Sequence, residues 1–413
     1  MSGQTPTIKV LYFAAASTAT GLTTEEVPIP EEGLKLSELT NTLVSRHPDA
    51  QGLKEIIDTI PQKPVLWIAA ASFAMLSYWM YSDIQISLPY NKIPTAMSQK
   101  SAFQASRLTP STFLIKEYDD IYSEHPHIYA KVVPSANAIL IIDTGCGGAS
   151  NDTGIGIKSL REFIETVDVE DNAGQPLNEG GKLDYVVALT HCHYDHILGV
   201  EDFAGSPILA SAHSSSFLDR EAMPEHSLCN ALNIKTPKYT PTLVPHGYDI
   251  VSAGKASLGM QILHTPGHTP DEIALYDEAE MMLYVGDSLY EWEPIIFPKE
   301  GSIITWFASM DYLIDFVRQK NAVVQTSQRG DGKPSDVLIN SGHCTALQPA
   351  LEVLLAAKTY MEDVVAGRKE VLSRRQNRGE ETVTYGEVGD RFSLRCPERL
   401  VLDARDNFKT RLE

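Results

Sequence analysis

The chain has 413 residues and a formal net charge of −20, from 34 Lys+Arg against 54 Asp+Glu. That length predicts two or three domains, and 43% hydrophobic with 21% charged residues excludes a disordered chain and a multi-span membrane protein. So acidic a chain repels phosphate backbones at long range, and no nucleic-acid partner is expected.

The first residues give a poor signal peptide, because Lys9 precedes only a short, Ala-rich apolar run, Val10 to Ala16. Ile8–Phe13 reads as a strand and Glu25–Ile29 as a second. Apolar residues at Leu36, Leu39 and Leu43 fit an amphipathic helix over Leu36–Arg46. Val65–Tyr81 carries no charge, with Trp67 near one end and Tyr78, Trp79 and Tyr81 near the other. As a helix it would span about 26 Å, slightly short of a ~30 Å hydrocarbon core. It reads either as a membrane anchor or as a buried helix, and lysines on both sides leave its orientation unreadable. Residues 83–111, with Pro89, Pro94 and Pro110, read as a linker.

Beyond Ser111, strand and helix signals alternate. His127–Val133, Ala138–Asp143, Leu183–Leu189, Gly259–Leu263, Ile273–Tyr276 and Met281–Val285 read as strands. Ile157–Val167, Ile304–Arg318 and Leu347–Val371 read as helices. Such alternation predicts an α/β layer architecture. The organisation expected is 1–60, an apolar segment and linker over 61–110, a main domain over 111–375 and a C-terminal extension over 376–413. The five cysteines, Cys146, Cys192, Cys229, Cys344 and Cys396, suggest no disulfide framework, so a reducing, cytoplasmic location is the expectation, with membrane anchoring as the alternative.

The chemistry concentrates in Ala-Leu-Thr-His-Cys-His-Tyr-Asp-His, directly after the apolar strand Leu183–Leu189. Residues i and i+2 of an extended segment point the same way, so His191 and His193 can grip one ion. Asp195 and His196, at the following turn, can reach a second. Imidazole nitrogens with a carboxylate suit zinc, and also iron or manganese. Downstream stand His264 and His268 in HTPGHTP, Asp287 in VGDSLY and His343 in INSGHC, with Gly267 permitting a sharp turn. Cys192 and Cys344 neighbour these residues, but adjacent side chains in an extended segment point apart, so both read as spacers.

This order, HxHxDH then GH, GD and GH, resembles the metallo-β-lactamase superfamily over roughly residues 111–345. The resemblance implies an αββα sandwich with its site at the strand ends. It implies His191, His193 and His268 at a first metal, Asp195, His196 and His343 at a second, and Asp287 bridging them. Two divalent ions, zinc foremost, are the cofactors implied. His264 is read as structural. Asp143, in Ile-Ile-Asp-Thr-Gly-Cys-Gly, matches the family's early strand-end Asp and would support the metal loop without ligating. A bridging Asp287 points to the glyoxalase II, lactonase and thioesterase branches. Tyr290 matches a tyrosine that contacts the substrate carbonyl in N-acyl homoserine lactonases. Asp195 and Tyr290 are therefore the catalytic candidates. The reaction implied is hydrolysis of a small-molecule ester, thioester or lactone by a hydroxide shared between the metals. One alternative is a mononuclear iron enzyme resembling persulfide dioxygenases. Arg368, Lys369, Arg374, Arg375 and Arg378 form the best basic cluster, read as a solvated helix face rather than a phosphate or CoA site.

The first ~55 residues resemble the sulfur-carrier subunit of molybdopterin synthase, a ubiquitin-like β-grasp protein. That family ends in a Gly-Gly tail, whereas here the apolar segment comes next, so a partial β-grasp segment without carrier chemistry is expected. A non-catalytic molybdopterin-pathway fusion is the other alternative reading.

Overall fold

The computed structural model describes residues 7–11, 24–28, 45–46, 99–326, 336–387 and 389–412. They fall into two units, residues 1–95 and 96–413. In the first, Thr7–Leu11 pairs antiparallel with Thr24–Pro28, Thr7 lying opposite Pro28. Apart from Ser45 and Arg46, the expected helix Leu36–Arg46 lies outside the described residues, as does Val65–Tyr81. No described helix is long and apolar enough to cross a membrane.

The second unit is a sandwich. Its seven-stranded sheet runs Thr242–Val244, Ile208–Ser211, Asp184–Ala188, Ala138–Ile142, His127–Val133, Thr112–Glu117, Phe103–Arg107. Its six-stranded sheet runs Tyr248–Val251, Ser257–His264, Ile273–Asp277, Met282–Tyr284, Leu338–Asn340, Gln348–Pro349. The edge strand Phe103–Arg107 falls where the sequence suggested linker; its partner Thr112–Glu117 is what makes it a strand.

Side-chain alternation builds the layers. In Ala138–Ile142, Ile139 and Ile141 face outward onto the helix Leu160–Thr166. Ala138, Leu140 and Ile142 face inward, against Ile262, Leu275 and Tyr284 of the other sheet. In Ile273–Asp277, Ile273 and Leu275 face inward, while Ala274 and Tyr276 face outward onto Ile303–Thr326 and Ala350–Val365. Strands buried on both faces read as continuous apolar runs, which is why these were legible. The result is the expected αββα order of layers.

Helix bounds differ from expectation for local reasons. The helix expected from Ile157 starts at Leu160, because the Ser159 hydroxyl caps it by accepting from the Glu162 N–H at 3.1 Å. The helix expected over Leu347–Val371 spans Ala350–Val365. After it the chain enters a four-stranded sheet, in the order Pro294–Ile296, Ser393–Pro397, Glu380–Tyr385, Val371–Asn377. This sheet runs across the boundary expected at residue 375. Arg374 and Arg375 thus lie on a strand, not on a helix face.

One ion pair crosses the sandwich core. Lys131, from the seven-stranded sheet, contacts Asp277, from the six-stranded sheet, and both side chains are buried. Removing one partner strands a charge in a dry interior, at a cost of about 3–5 kcal/mol. Lys131→Met should lower unfolding free energy by that amount in denaturant titration, and Lys131→Met with Asp277→Leu should recover most of the loss. Equal stability of the single variant and the parent would show that the pair is not desolvated.

Candidate metal centre

Each candidate residue lies just past the end of a strand. His191, His193, Asp195 and His196 come after Asp184–Ala188, and Asp143 after Ala138–Ile142. His268 comes after Ser257–His264, Asp287 after Met282–Tyr284 and His343 after Leu338–Asn340. Backbone bonds tie these ends together: Ile273 N donates to Thr190 O at 2.8 Å, and Gly342 N to Gly286 O at 2.7 Å. Two glycines are set by close approach. A side chain at Gly342 would collide with Asp287 Oδ1, and one at Gly267 would lie 2.6 Å from Trp306 Cα. Gly267, at the bend where its N–H donates to Thr269 O at 3.1 Å, therefore also serves close packing against a helix.

Two donor groups form. His191, His193 and His268 make one; Asp195, His196, Asp287 and His343 make the other; all seven are buried. His193 Nδ1 lies 3.0 Å from both His191 Nε2 and His268 Nε2. In the second group, His343 Nε2 is 3.3 Å from Asp195 Oδ2 and 3.4 Å from Asp287 Oδ2. Asp287 also reaches within 4.0 Å of His268 Nε2, so it stands between the groups. His264 stays apart: its Nε2 meets the Val244 carbonyl at 3.0 Å. Cys192 packs with Phe217, Leu218 and Met223, away from the donors.

Hydrogen bonds on the far side of each ring set the tautomers. His268 Nδ1 donates to Ile296 O at 2.6 Å, His343 Nδ1 to Glu124 O at 2.8 Å, and His196 Nδ1 to Asp143 Oδ2 at 2.8 Å. Thr190 Oγ1 donates to Asp143 Oδ2 at 2.7 Å, which leaves its lone pair facing His191 Nδ1 at 3.1 Å. A carbonyl or carboxylate can only accept, so each of these Nδ1 atoms carries a proton and Nε2, turned inward, is the nitrogen left to hold an ion. His196 Nε2 and Asp287 Oδ1 are buried and make no hydrogen bond, though they face each other at 3.4 Å. Converging lone pairs and orphaned polar atoms are what a cation site looks like from the protein side, so the donor set fits two divalent ions.

The electrostatics differ between the two groups. Burial and neighbouring imidazoles push His191 well down, and burial takes His193 down to about 3, so both rings are neutral. In the second group burial opposes charge, but the His196 and His343 rings and the Asp195 and Asp287 carboxylates outweigh it. They raise the two histidines and lower the two acids.

Tyr290 is buried, lines the cavity over the donors and stacks edge-on to His343. Its hydroxyl accepts from Ile296 N at 3.3 Å, so its own proton can be donated elsewhere. Burial holds that hydroxyl well above its ordinary value, hence protonated. Sequence reasoning missed three acids. Glu272 is fully buried and accepts from Asp287 N at 3.0 Å. Glu124 accepts from His343 through its carbonyl and from the Tyr194 hydroxyl through its carboxylate. Glu117 accepts from Gly148 N at 3.1 Å, under the loop that carries Asp143. Glu272 closes the His264–Glu272 segment without having been singled out there, and Glu117 and Glu124 sit in no motif.

These contacts carry measurable consequences. Asp143→Ala removes the acceptor for Thr190 N, Thr190 Oγ1 and His196 Nδ1 together. It should weaken metal affinity about 10- to 100-fold in chelator competition, with the ligands all present; an unchanged affinity would show that Asp143 does not support the centre. Burial pushes Glu117 from 4.5 up to about 8. A carboxyl raised in the folded state stabilises fully below its unfolded value, and that contribution is lost as pH rises through about 8. The melting temperature should therefore decline between pH 6 and 9 more in the parent than in Glu117→Gln; parallel declines would contradict this.

Comparison with known proteins agrees with this geometry. Residues 132–324 match the family model described as the metallo-beta-lactamase superfamily. The Aspergillus versicolor protein avaE, which carries the provisional name of a transcription factor, is 33% identical over 322 residues, 75% of this chain and 90% of that protein. The chicken acyl-coenzyme A thioesterase MBLAC2 is 24% identical over 192 residues, 43% of this chain and 63% of the enzyme. An N-acyl homoserine lactonase of a Bacillus species is 26% identical over 167 residues, 37% of this chain and 59% of the enzyme. The chain thus spans less than two thirds of either enzyme. With its αββα layers, its strand-end donor groups and these relatives, the chain belongs to the metallo-beta-lactamase superfamily.

Proposed function

We propose that the chain is a dinuclear metal-dependent hydrolase of a small-molecule ester, thioester or lactone. The observation that carries this reading is the pair of donor groups flanking Asp287 at the floor of a cavity of about 590 Å³. That volume suits a small substrate. His191, His193 and His268 would hold one ion, Asp195, His196 and His343 the other, with Asp287 between them. The imidazole and carboxylate set suits zinc first, with iron or manganese also able to enter. Bound there, such ions polarise a carbonyl and lower the pKa of water to about 7.

The remaining work falls to the chain. Asp143, Ile296 O and Glu124 O hold the rings so that the lone pairs stay fixed. Tyr290 donates its hydroxyl proton to the substrate carbonyl oxygen as negative charge grows there. Asp195, ionised at neutral pH, is placed to take a proton beside the reacting carbon. Leu228, Leu232 and Phe297 line the same cavity and would pack the acyl portion while keeping water out. The thioesterase and lactonase relatives support this chemistry. A DNA-binding role, which the name of avaE suggests, is opposed by the net charge of −20.

Hydrolysis of acyl thioesters, p-nitrophenyl esters and lactones by the zinc-loaded chain tests the reading. At least one class should turn over, and Tyr290→Phe should lower kcat/KM about 100-fold, the usual cost of one lost oxyanion donor, with metal content unchanged. No turnover of any class, or full activity in Tyr290→Phe, would contradict the reaction or the role respectively.

A further inference from the structure

The cavity over the donors has a second wall that comes from outside the sandwich. Asn377, Arg378, Thr382 and Arg395 line it, together with Lys299. All but Lys299 belong to the four-stranded C-terminal sheet or its hairpin turn. That sheet is locked onto the cavity rim: Ile296, a lining residue, pairs with Arg395 across two parallel strands, and Phe297 N donates to Arg395 O at 2.9 Å. The lining includes both buried donors, His193 and Asp195, and exposed residues, Arg395 among them.

The three cations of this wall are not equivalent. Arg378 contacts Glu225 at 2.9 Å and Glu300 at 3.1 Å, and Lys299 contacts the same two carboxylates at 2.6 and 3.7 Å. Two cations against two carboxylates leave no net charge. Arg395 is different. It is exposed in the lining, and among the described residues no carboxylate forms an ion pair with it. Its neighbours on the same face of the sheet, Ser393 and Pro397 on its own strand and Thr384 opposite it, carry no charge. The one other exposed charged side chain of the lining is the carboxylate of Glu293, which meets the Cys344 thiol and, among the described residues, forms no ion pair with Arg395. A guanidinium held on a sheet at a cavity mouth is suited to bidentate capture of a carboxylate or phosphate.

We propose that the substrate carries an anionic group, a carboxylate or a phosphate monoester, which Arg395 binds while the scissile acyl bond lies over the donor groups. Arg395 is thus a specificity-determining residue, and the C-terminal sheet is the element that selects for charge. The proposal rests on the hydrolase reading of the site, but its own observation is the uncompensated cation on the rim. Because Arg395 is exposed, its attraction is screened, and affinity for a charged ligand should fall as salt rises.

Binding of three thioethers that cannot be hydrolysed tests it on the zinc-loaded full chain by calorimetry. The probes are S-hexyl mercaptoethanol, its phosphate monoester and S-hexyl mercaptopropionic acid. The parent should bind at least one charged probe about tenfold more tightly than the neutral one. Arg395→Gln should abolish that difference, and Arg378→Gln, already neutralised, should not. Which charged probe shows the effect tells phosphate from carboxylate. Equal affinity of the parent for all three probes, or the same preference in Arg395→Gln, would overturn the proposal. Turnover of the hexanoyl thioesters of mercaptoethanol, its phosphate monoester and mercaptopropionic acid, measured in parallel, separates the two claims. A charge preference without any turnover would sink the hydrolase reading and leave Arg395 in place.

Discussion

The centre depends on hydrogen bonds that face away from it. Four imidazoles spend their Nδ1 protons on groups that accept them, namely Asp143, Ile296 O, Glu124 O and the Thr190 hydroxyl. That turns Nε2 of each ring inward: burial disfavours a proton there on His191 and His268, whereas the Asp195 and Asp287 carboxylates favour one on His196 and His343, which a bound cation would displace. Without those acceptors the rings could rotate or take the other tautomer, and seven donors in the right sequence order would still make no site.

The fold supplies the acceptors by ending strands of both sheets at one edge. Asp143 and the His191–His196 segment come from adjacent parallel strands, Ile142 pairing with Ala188. Asp287 and His343 likewise extend from adjacent parallel strands, Tyr284 pairing with Asn340. The Ile273–Thr190 and His127–Gly342 backbone bonds then fix one set of ends against the other. Asp143 shows the local cost. It holds a left-handed φ of 60°, which short polar side chains tolerate, and in that pose it accepts from Thr190 and His196 at once. The buried Lys131–Asp277 contact serves the same end farther down, holding the two sheets in one relation.

Legibility tracked sequence distance. The HxHxDH cluster is local, so its spacing alone announced a donor site, and the three later motifs retained their own short signatures. The central strands were legible because both faces are buried, which turns them into unbroken apolar runs. Glu124 was not, since the atom that orients His343 is its backbone carbonyl, which any residue would have supplied. Glu272 and Glu117 are lone acids whose meaning comes only from what packs on them. The edge strand Phe103–Arg107 alternates polar and apolar residues next to prolines, so it read as linker. The C-terminal sheet escaped for a similar reason: Val371–Asn377 is largely exposed and charged, which composition alone does not distinguish from a helix end. Among the described residues the N-terminal unit shows one antiparallel pair of strands, which by itself does not support the resemblance to a sulfur carrier.

The central claim is that the two donor groups hold two ions that share Asp287. Elemental mass spectrometry of the full chain, purified and dialysed against a trace of chelator, addresses it most directly. The expected result is about two zinc, or zinc and iron, per chain, falling in Asp287→Ala while the folded state is retained. One iron per chain with oxygen consumption, or no tightly held metal in the folded protein, would contradict it.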